Sequence, residues 1–269
     1  MAETVKSTCY EGCGVSDFHF YLEKSNEHGE IPKFVHDVLP GEFKRIGAGQ
    51  TSLDVLGVGD GGGQIDVQML SLLQSAFPAV PVTADIVEGS LELTDNFKGA
   101  DRAHWEQAAC NKKKKLLKTK TVKKMDSLLG HQPGMIHYVD SLADTIKFFH
   151  GLLKPSSWLM IILEAGSSGS DILWKTCAKQ LCVDYITEYR SSGEEHSIPN
   201  SFDITKCFHP SSKPGEHLLS VMTGTSHFSQ SFSPEVRAGI WDLLRTKCST
   251  EKDGKILFNS NLTCLLVHA

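Results

Sequence analysis

The sequence predicts a doubly wound α/β fold with a mostly parallel sheet, a C-terminal antiparallel hairpin and an N-terminal helical cover. From residue 52 onward, short runs of high β propensity alternate with segments whose apolar residues recur at helical spacing. This alternation is typical of parallel strands joined by crossover helices. Of the 269 residues, 40% are hydrophobic and 22% are charged, a composition that excludes disorder, collagen and coiled coil.

The elements of the sheet follow from local patterns of apolar residues. Strands are predicted at residues 52–59, 80–88 and 158–164. Helices are predicted at residues 64–76, 140–152 and 171–181. A further helix begins after Ser233, because Pro234 and Glu235 favour the first turn of a helix.

The two ends of the chain and two internal stretches are less regular. The first 50 residues look partly helical and either cover the ligand edge of the sheet or pack on its core. A hairpin is predicted over residues 255–267, with its turn at residues 259–261. Residues 98–130 have no assignable pattern. Residues 186–216 are rich in Ser, Pro, Gly and His and are predicted to be the least ordered stretch.

Net charge and charge clustering exclude several classes of partner. The net charge of −5 excludes a whole-molecule attraction to nucleic acid or to an anionic membrane. Eight lysines lie within residues 112–124, but no aromatic residues interleave with them. We therefore predict a solvated face there rather than an RNA contact or a nuclear address. No apolar run approaches the roughly 20 residues of a membrane-spanning helix.

The cysteines and the first residues of the chain indicate the cellular compartment of the protein. The chain begins without the apolar core of a secretory signal, so we predict a cytoplasmic protein. Its eight cysteines are irregularly spaced, which predicts reduced thiols. Cys9 and Cys13 lack the second pair of ligands that a zinc site requires, so we predict no metal.

The sharpest local signal is the glycine-rich stretch between the first predicted strand and the first helix that follows it. Gly57, Gly59 and Gly62 satisfy the pattern G-x-G-x-x-G, in which the backbone turns sharply beneath a helix N-terminus and approaches a nucleotide. Glu88 ends the second strand, where a carboxylate can bind ribose hydroxyls. A tight turn without a ligand and a solvated glutamate are the structural alternatives.

Two cofactors suit this Rossmann-like geometry, a nicotinamide dinucleotide and S-adenosylmethionine. Asp60 would repel a pyrophosphate, but it suits a sulfonium or ammonium group. No second mononucleotide-binding half is present, and no Gly-Lys-Ser/Thr follows the glycines, so a P-loop is also excluded. These features favour S-adenosylmethionine.

Longer motifs then point to one family. They are Ser-Asn-Glu-His at residues 25–28, Ile-Val-Glu-Gly-Ser at 86–90, Lys-Phe-Phe-His at 147–150, Gly-Ser-Ser-Gly at 166–169, Leu-Trp-Lys at 173–175 and Lys-Ile-Leu-Phe-Asn at 255–259. On these motifs the chain resembles the histamine N-methyltransferase family along its whole length. The resemblance implies a soluble, monomeric enzyme that methylates an imidazole nitrogen. It also implies one domain over residues 1–269, with a substrate-covering segment at 1–50 and a methyl-donor-binding core at 51–269.

The glycine loop and the resemblance together assign candidate site residues. The methyl donor is expected to contact Gly57, Gly59, Asp60, Gly61, Glu88 and His131. The substrate is expected to contact Glu27, Gln132, Tyr138, Trp174, Phe228 and Ser260. No catalytic side chain is implied, because methyl transfer is an in-line displacement that depends on positioning. Without the resemblance, Glu27 reads as an exposed helix residue and the aromatic residues as core.

Departures from the family pattern concentrate in the substrate pocket. Ser170 stands in place of a tryptophan and His137 in place of a tyrosine, which predicts a wider and more polar pocket. Ser260 stands where the family has a substrate-binding asparagine, and only a shift in strand register would bring a neighbouring asparagine there. The chain also looks shortened after Glu88 and again after Tyr185.

These departures leave three hypotheses for the function. The first is an N-methyltransferase acting on histamine or on a related compound such as carnosine. The second is a noncatalytic relative that binds S-adenosylmethionine or a partner protein, which the shortened segments motivate. A nicotinamide-dependent reductase is the third and least favoured, because it would need a second nucleotide-binding half.

Overall fold

The computed structural model describes residues 13–58, 64–87, 125–130, 142–181, 194–209 and 211–268. The chain divides into two compact units. The sheet unit comprises Ile31–Leu163, Ile186–His196 and Cys264–Ala269, and the helix-rich unit comprises Met1–Glu30, Glu164–Tyr185 and Ser197–Thr263. The single domain over residues 1–269 stays a prediction.

A six-stranded sheet with a parallel centre confirms the α/β fold class. Its strands are β1 (Leu53–Val58), β2 (Val82–Val87), β3 (Met125–Gly130), β4 (Leu153–Glu164), β5 (Glu194–Ile198) and β9 (Leu262–His268). The strand order is β2-β1-β3-β4-β9-β5. Strand β1 pairs in parallel with β2 and β3, and β3 pairs in parallel with β4.

Helices precede and connect these strands. They are α1 (Cys13–Ser25), α2 (Glu27–Asp37), α3 (Leu39–Ile46), α4 (Gln64–Ala76), α5 (Leu142–Gly151) and α6 (Gly169–Leu181). The predicted helices at residues 64–76, 140–152 and 171–181 are therefore confirmed to within two residues. The core of the sheet unit includes Leu56, Ile146, Leu159, Ile161 and Leu265.

Strands β3 and β4 depart from the sequence prediction in their position along the chain. Strand β3 lies in the stretch that has no assignable pattern. Strand β4 begins five residues before the predicted one, at Leu153 rather than at residue 158. Its register jumps from Met125↔Leu153 to Ser127↔Trp158, and Ser156 within the jump has a φ of 66°. This irregularity interrupts the alternation of side chains that sequence patterns detect.

The helix-rich unit holds the other elements. They are a 3₁₀ helix (Thr205–Phe208), α7 (Lys213–Thr223), α8 (Phe228–Ser231), α9 (Pro234–Thr246) and the strands β6 (Ser201–Asp203), β7 (Ser249–Lys252) and β8 (Lys255–Asn259). These three strands form an antiparallel sheet in the order β6-β8-β7. Helix α9 begins as predicted, with the Ser233 hydroxyl accepting a hydrogen bond from the Val236 amide.

The predicted hairpin over residues 255–267 is wrong in its turn and its partner. Strand β8 pairs with β7 across Asp253 and Gly254, whose φ angles of 52° and 71° are both left-handed. Such a two-residue Asp-Gly connection matches the right-handed twist of the flanking strands. Strand β9, the expected second arm, belongs to the six-stranded sheet instead.

The prediction of weak order is also wrong for residues 194–209 and 211–216. Their polar residues satisfy backbone groups at the ends of short elements. Asp203 accepts hydrogen bonds from Thr205, and the Ser212 hydroxyl accepts one from the Gly215 amide at the start of α7. The described helices include none that is long and apolar enough to cross a membrane.

Candidate functional site

The edge of the sheet unit at which β1 ends is a topological switch point. The chain leads from β1 to β2 on one side and continues with β3 on the other. Val58 is in register with both Val87 and Gly130, so the three strands end at one level. Ligands of open α/β sheets bind outside the carboxyl ends of strands at such a point.

The residues predicted to bind the methyl donor lie in or directly after the strands that end at this edge. Gly57 is buried in β1 and pairs with Ile86 and Leu129. Gly59, Glu88 and His131 directly follow the last residues of β1, β2 and β3. Together with Asp60 and Gly61 they lie outside the described residues, and all these roles stay predictions.

Glu27 is a buried carboxyl in the helix-rich unit. It is the first residue of α2, and only 3% of its surface is exposed, so the alternative of a solvated helix residue is wrong. The Tyr21 hydroxyl donates a hydrogen bond of 2.7 Å to Glu27 Oε1. Burial raises the pKa of Glu27 to about 8, the Tyr21 hydrogen bond opposes this rise, and the negative charge of Glu164 adds to it.

Ser260 lies in the same unit beside a residue that sequence reasoning missed, Asn200. The Ser260 amide donates to the Asn200 carbonyl at 3.1 Å, and Asn200 Nδ2 donates to the Ser25 carbonyl at 2.9 Å. Ser260 is 1% exposed and Asn200 is 6% exposed. Among the described residues, neither Ser260 Oγ nor Asn200 Oδ1 has a hydrogen-bond partner. No sequence signal singles out Asn200, because it lies in the stretch of low expected order.

The asparagines on either side of Ser260 have structural partners. Asn259 Nδ2 donates to the Ser167 carbonyl, and Asn261 Oδ1 accepts a hydrogen bond from the Asn200 amide. Ser260 is the fully buried residue of the three. The register is therefore not shifted to bring an asparagine to position 260.

Two predicted pocket aromatics pack in the helix-rich unit. Phe228 is 1% exposed and lies in the core, with its ring 5.5 Å from that of Phe232 and 5.7 Å from that of Trp241. Trp174 is half-buried, and its indole donates to the Met222 carbonyl at 3.0 Å. Their contacts with a substrate stay predictions, while Gln132, Tyr138 and His137 lie outside the described residues.

Three side chains of the sheet unit are close enough to share a metal ion. Glu42, Glu194 and His196 place ligand atoms within 4.8 Å of one another. However, the Arg45 guanidinium donates hydrogen bonds to both carboxylates. This cation neutralises the charge that a metal would need, so the cluster reads as an ion-pair network.

Several relatives that match nearly the whole chain are histamine N-methyltransferases, although no family model matches the chain. Histamine N-methyltransferase A of Xenopus laevis is 33% identical over 95% of this chain and 94% of its own length. Histamine N-methyltransferase of Danio rerio is 34% identical over 94% of both chains. Carnosine N-methyltransferase 2 of Gallus gallus is 30% identical over 95% of this chain and 86% of its own length.

Among solved structures, the plantazolicin methyltransferase BamL in complex with S-adenosylhomocysteine and a desmethyl analogue is 14% identical. It covers 98% of this chain and 94% of its own, with a TM-score of 0.47. A methyltransferase described as putative in its title, from Bacillus halodurans, is also 14% identical. It covers 85% of this chain and 97% of its own, with a TM-score of 0.49.

Proposed function

The chain belongs to the histamine N-methyltransferase family, and from this membership we propose that it transfers a methyl group from S-adenosylmethionine to a small imidazole amine. Histamine and the imidazole dipeptide carnosine are the candidate substrates, since relatives named for each match nearly the whole chain. We also propose that the protein acts as a cytoplasmic monomer with one functional domain.

The observation that carries the proposal is the buried carboxyl of Glu27. A carboxylate in a medium of low dielectric attracts a cation more strongly than one in water. The amine of histamine is protonated at neutral pH, so Glu27 supplies the opposite charge that such a substrate requires. The Tyr21 hydroxyl orients this carboxyl through its 2.7 Å hydrogen bond.

The sheet unit suits S-adenosylmethionine in its topology and its residue types. The chain reverses its direction along the sheet at Val58, where β1, β2 and β3 end at one level. Gly57, one residue earlier, has no side chain that would block the approach of a ligand to the backbone. Glu88 would bind the ribose hydroxyls, and Asp60 would favour the positive charge of the ligand. When bound, S-adenosylmethionine supplies a methyl group activated by the sulfonium.

The chain contributes positioning rather than a covalent nucleophile. Glu27 would hold the ammonium group, while Gln132, Tyr138, Trp174, Phe228 and Ser260 would shape the pocket around the imidazole. Holding reactants in alignment can supply roughly 7–11 kcal/mol of the barrier reduction. The neutral imidazole, with a pKa of about 6.5 for the histidine side chain, is already a nucleophile at cellular pH.

A titration followed by an activity assay tests the proposal. Calorimetry measures binding of S-adenosylmethionine, and a labelled-methyl assay then compares histamine, carnosine and histidine. Turnover on any of these imidazoles supports the proposal. Binding of the methyl donor without turnover on a broad panel of amines supports the noncatalytic alternative. A protein that ignores S-adenosylmethionine and binds a nicotinamide cofactor contradicts both.

Two substitutions separate the site roles. Glu88→Ala is expected to weaken binding of S-adenosylmethionine. Glu27→Ala is expected to raise the KM for the amine and to leave binding of the methyl donor unchanged. Equal effects of both substitutions on both ligands would contradict the separate assignment.

A further inference from the structure

We infer that Asn200 is a substrate-positioning residue whose side-chain oxygen accepts a hydrogen bond from the ring N–H of a neutral imidazole. The inference rests on the proposed function. It concerns a residue that neither the glycine loop nor the family motifs assign. Its starting point is a pair of buried oxygens, Asn200 Oδ1 and Ser260 Oγ, that have no hydrogen-bond partner among the described residues.

The orientation of the Asn200 amide follows from its neighbours. The Ser25 carbonyl can only accept a hydrogen bond, so the atom 2.9 Å from it must be the NH₂ group. The backbone amide and carbonyl of Asn200 are also engaged, with Asn261 Oδ1 and the Ser260 amide. Asn200 is thus held at three points, and within the described part of the chain its side-chain oxygen has no hydrogen-bond partner.

This anchoring ties Asn200 to the segment that carries Glu27. Ser25 ends α1, and Glu27 begins α2 two residues later. The Ser25 hydroxyl lies 3.5 Å from the Glu27 amide. All of these residues belong to the helix-rich unit, so one short segment links the buried carboxyl to the buried amide.

The place of Asn200 next to residue 260 also bears on the substitution of the family's asparagine by Ser260. The family resemblance places a substrate-binding asparagine there, and a serine side chain is shorter and lacks an amide. The Asn200 backbone carbonyl accepts a hydrogen bond from the Ser260 amide, so residue 200, in the connection between β5 and β6, lies next to position 260 and carries an amide side chain. We therefore expect the amide of residue 200 to take over the role of the missing one.

The side-chain oxygen of Asn200 can accept a hydrogen bond, so it favours a substrate that carries a donor N–H group. A neutral imidazole has one N–H and one nitrogen with a free lone pair. An acceptor that binds the N–H leaves the lone pair on the other nitrogen for the methyl group. Because a buried acceptor without a partner is unfavourable, a substrate that supplies the N–H gains affinity from the contact.

Steady-state kinetics with histamine and carnosine on substituted proteins test the inference. Asn200→Ser should raise the KM for the imidazole about tenfold and leave kcat within about twofold, since one hydrogen bond to a buried group is lost. Adding Ser260→Asn in the same chain should return the KM to within about threefold of the wild-type value. Asn259→Ala is the matched control, because the side chain of this neighbouring asparagine bonds only to backbone groups, the Ser167 carbonyl and the Asn261 amide, and its KM should change much less than that of Asn200→Ser.

Binding of S-adenosylmethionine shows whether each variant is folded. If Asn200→Ser loses this binding, Asn200→Ala repeats the measurement. An unchanged KM in a folded Asn200 variant overturns the inference, as does a double variant that is folded but not rescued. A wild-type protein that neither binds nor methylates either imidazole overturns the proposed function and the inference together, whereas an active wild type with unaffected variants overturns the inference alone.

Discussion

The Tyr21 hydroxyl and the Glu27 carboxyl meet across the break between α1 and α2, at 2.7 Å. Asn26 makes this break, with a φ of 60°, a left-handed conformation that asparagine tolerates better than most residues. Its carbonyl accepts hydrogen bonds from the Gly29 and Glu30 amides. The turn folds Glu27 back toward the preceding helix, and this local geometry helps to bury the carboxyl.

The raised pKa of Glu27 predicts that its contribution to stability is lost at alkaline pH. Between its unfolded pKa near 4.5 and its folded pKa of about 8, the folded chain binds more protons than the unfolded chain. The stabilising contribution is therefore complete below about pH 4.5 and is lost as the pH rises through about 8. Glu27→Gln stays neutral, so its Tm should fall less than that of the wild type between about pH 6 and pH 9.

Glu23→Gln is the matched control for this measurement. Glu23 lies on α1 with a side chain that is 66% exposed, so the substitution should leave the pH dependence of the Tm as it is in the wild type. Parallel Tm curves for Glu27→Gln and the wild type would show that Glu27 is already ionised in the folded protein.

Binding of a cationic substrate should release a proton from Glu27. The carboxyl is mostly protonated at neutral pH because burial raises its pKa to about 8. An ammonium group placed beside it favours the carboxylate and lowers this pKa. Titration of histamine into the protein loaded with S-adenosylhomocysteine should therefore give heats that depend on the ionisation enthalpy of the buffer. Glu27→Gln should remove this dependence, and equal heats for the wild type in all buffers would contradict the prediction.

Tyr21→Phe should weaken substrate binding with little effect on the fold. The phenol hydrogen bond holds down the pKa of Glu27, so its loss leaves less carboxylate at neutral pH. The KM for histamine should rise roughly three- to tenfold, which corresponds to the net contribution of about 0.5–1.5 kcal/mol that is typical of one hydrogen bond. The ring still packs edge-on against Phe202, at 5.6 Å between centroids, so the Tm should change little. A large fall in Tm with an unchanged KM would assign Tyr21 a structural role instead.

The fold was predictable where the periodicity of apolar residues is strong and local. Strand β1, helix α4 and strand β2 follow their patterns closely, because a buried strand and an amphipathic helix impose different spacings on apolar residues. The partner of β8 was not predictable in this way. Leu262–His268 has the composition of a hairpin arm, but its pairing depends on contacts distant in sequence, and the local Asp253-Gly254 turn serves β7 instead.

The candidate site shows the same limit at the level of single residues. Glu27 lies among polar neighbours in the sequence, and only its low exposure in the folded chain and its contact with Tyr21 identify it as a buried carboxyl. Asn200 lies in a stretch whose composition suggests a loop, and its hydrogen bonds with Ser25 and Ser260 form only in the folded chain. Tertiary contacts of this kind leave no local signal in the sequence.

Gly169, the last glycine of the Gly-Ser-Ser-Gly motif, should tolerate no side chain. A Cβ at this position would lie 2.6 Å from Phe258 Cε2 and 2.7 Å from the Cys248 carbonyl oxygen. Since Phe258 is fully buried and Cys248 contributes a backbone atom, neither can move freely, and Gly169→Ala should destabilise the protein by about 1–3 kcal/mol.

Gly239→Ala is the matched control for Gly169→Ala, because Gly239 lies inside α9 and its Cβ would meet nothing within 4 Å. This second substitution should stabilise the helix by roughly 0.5–1 kcal/mol. Urea unfolding of both variants measures the difference, and equal midpoints would show that the motif accommodates a methyl group.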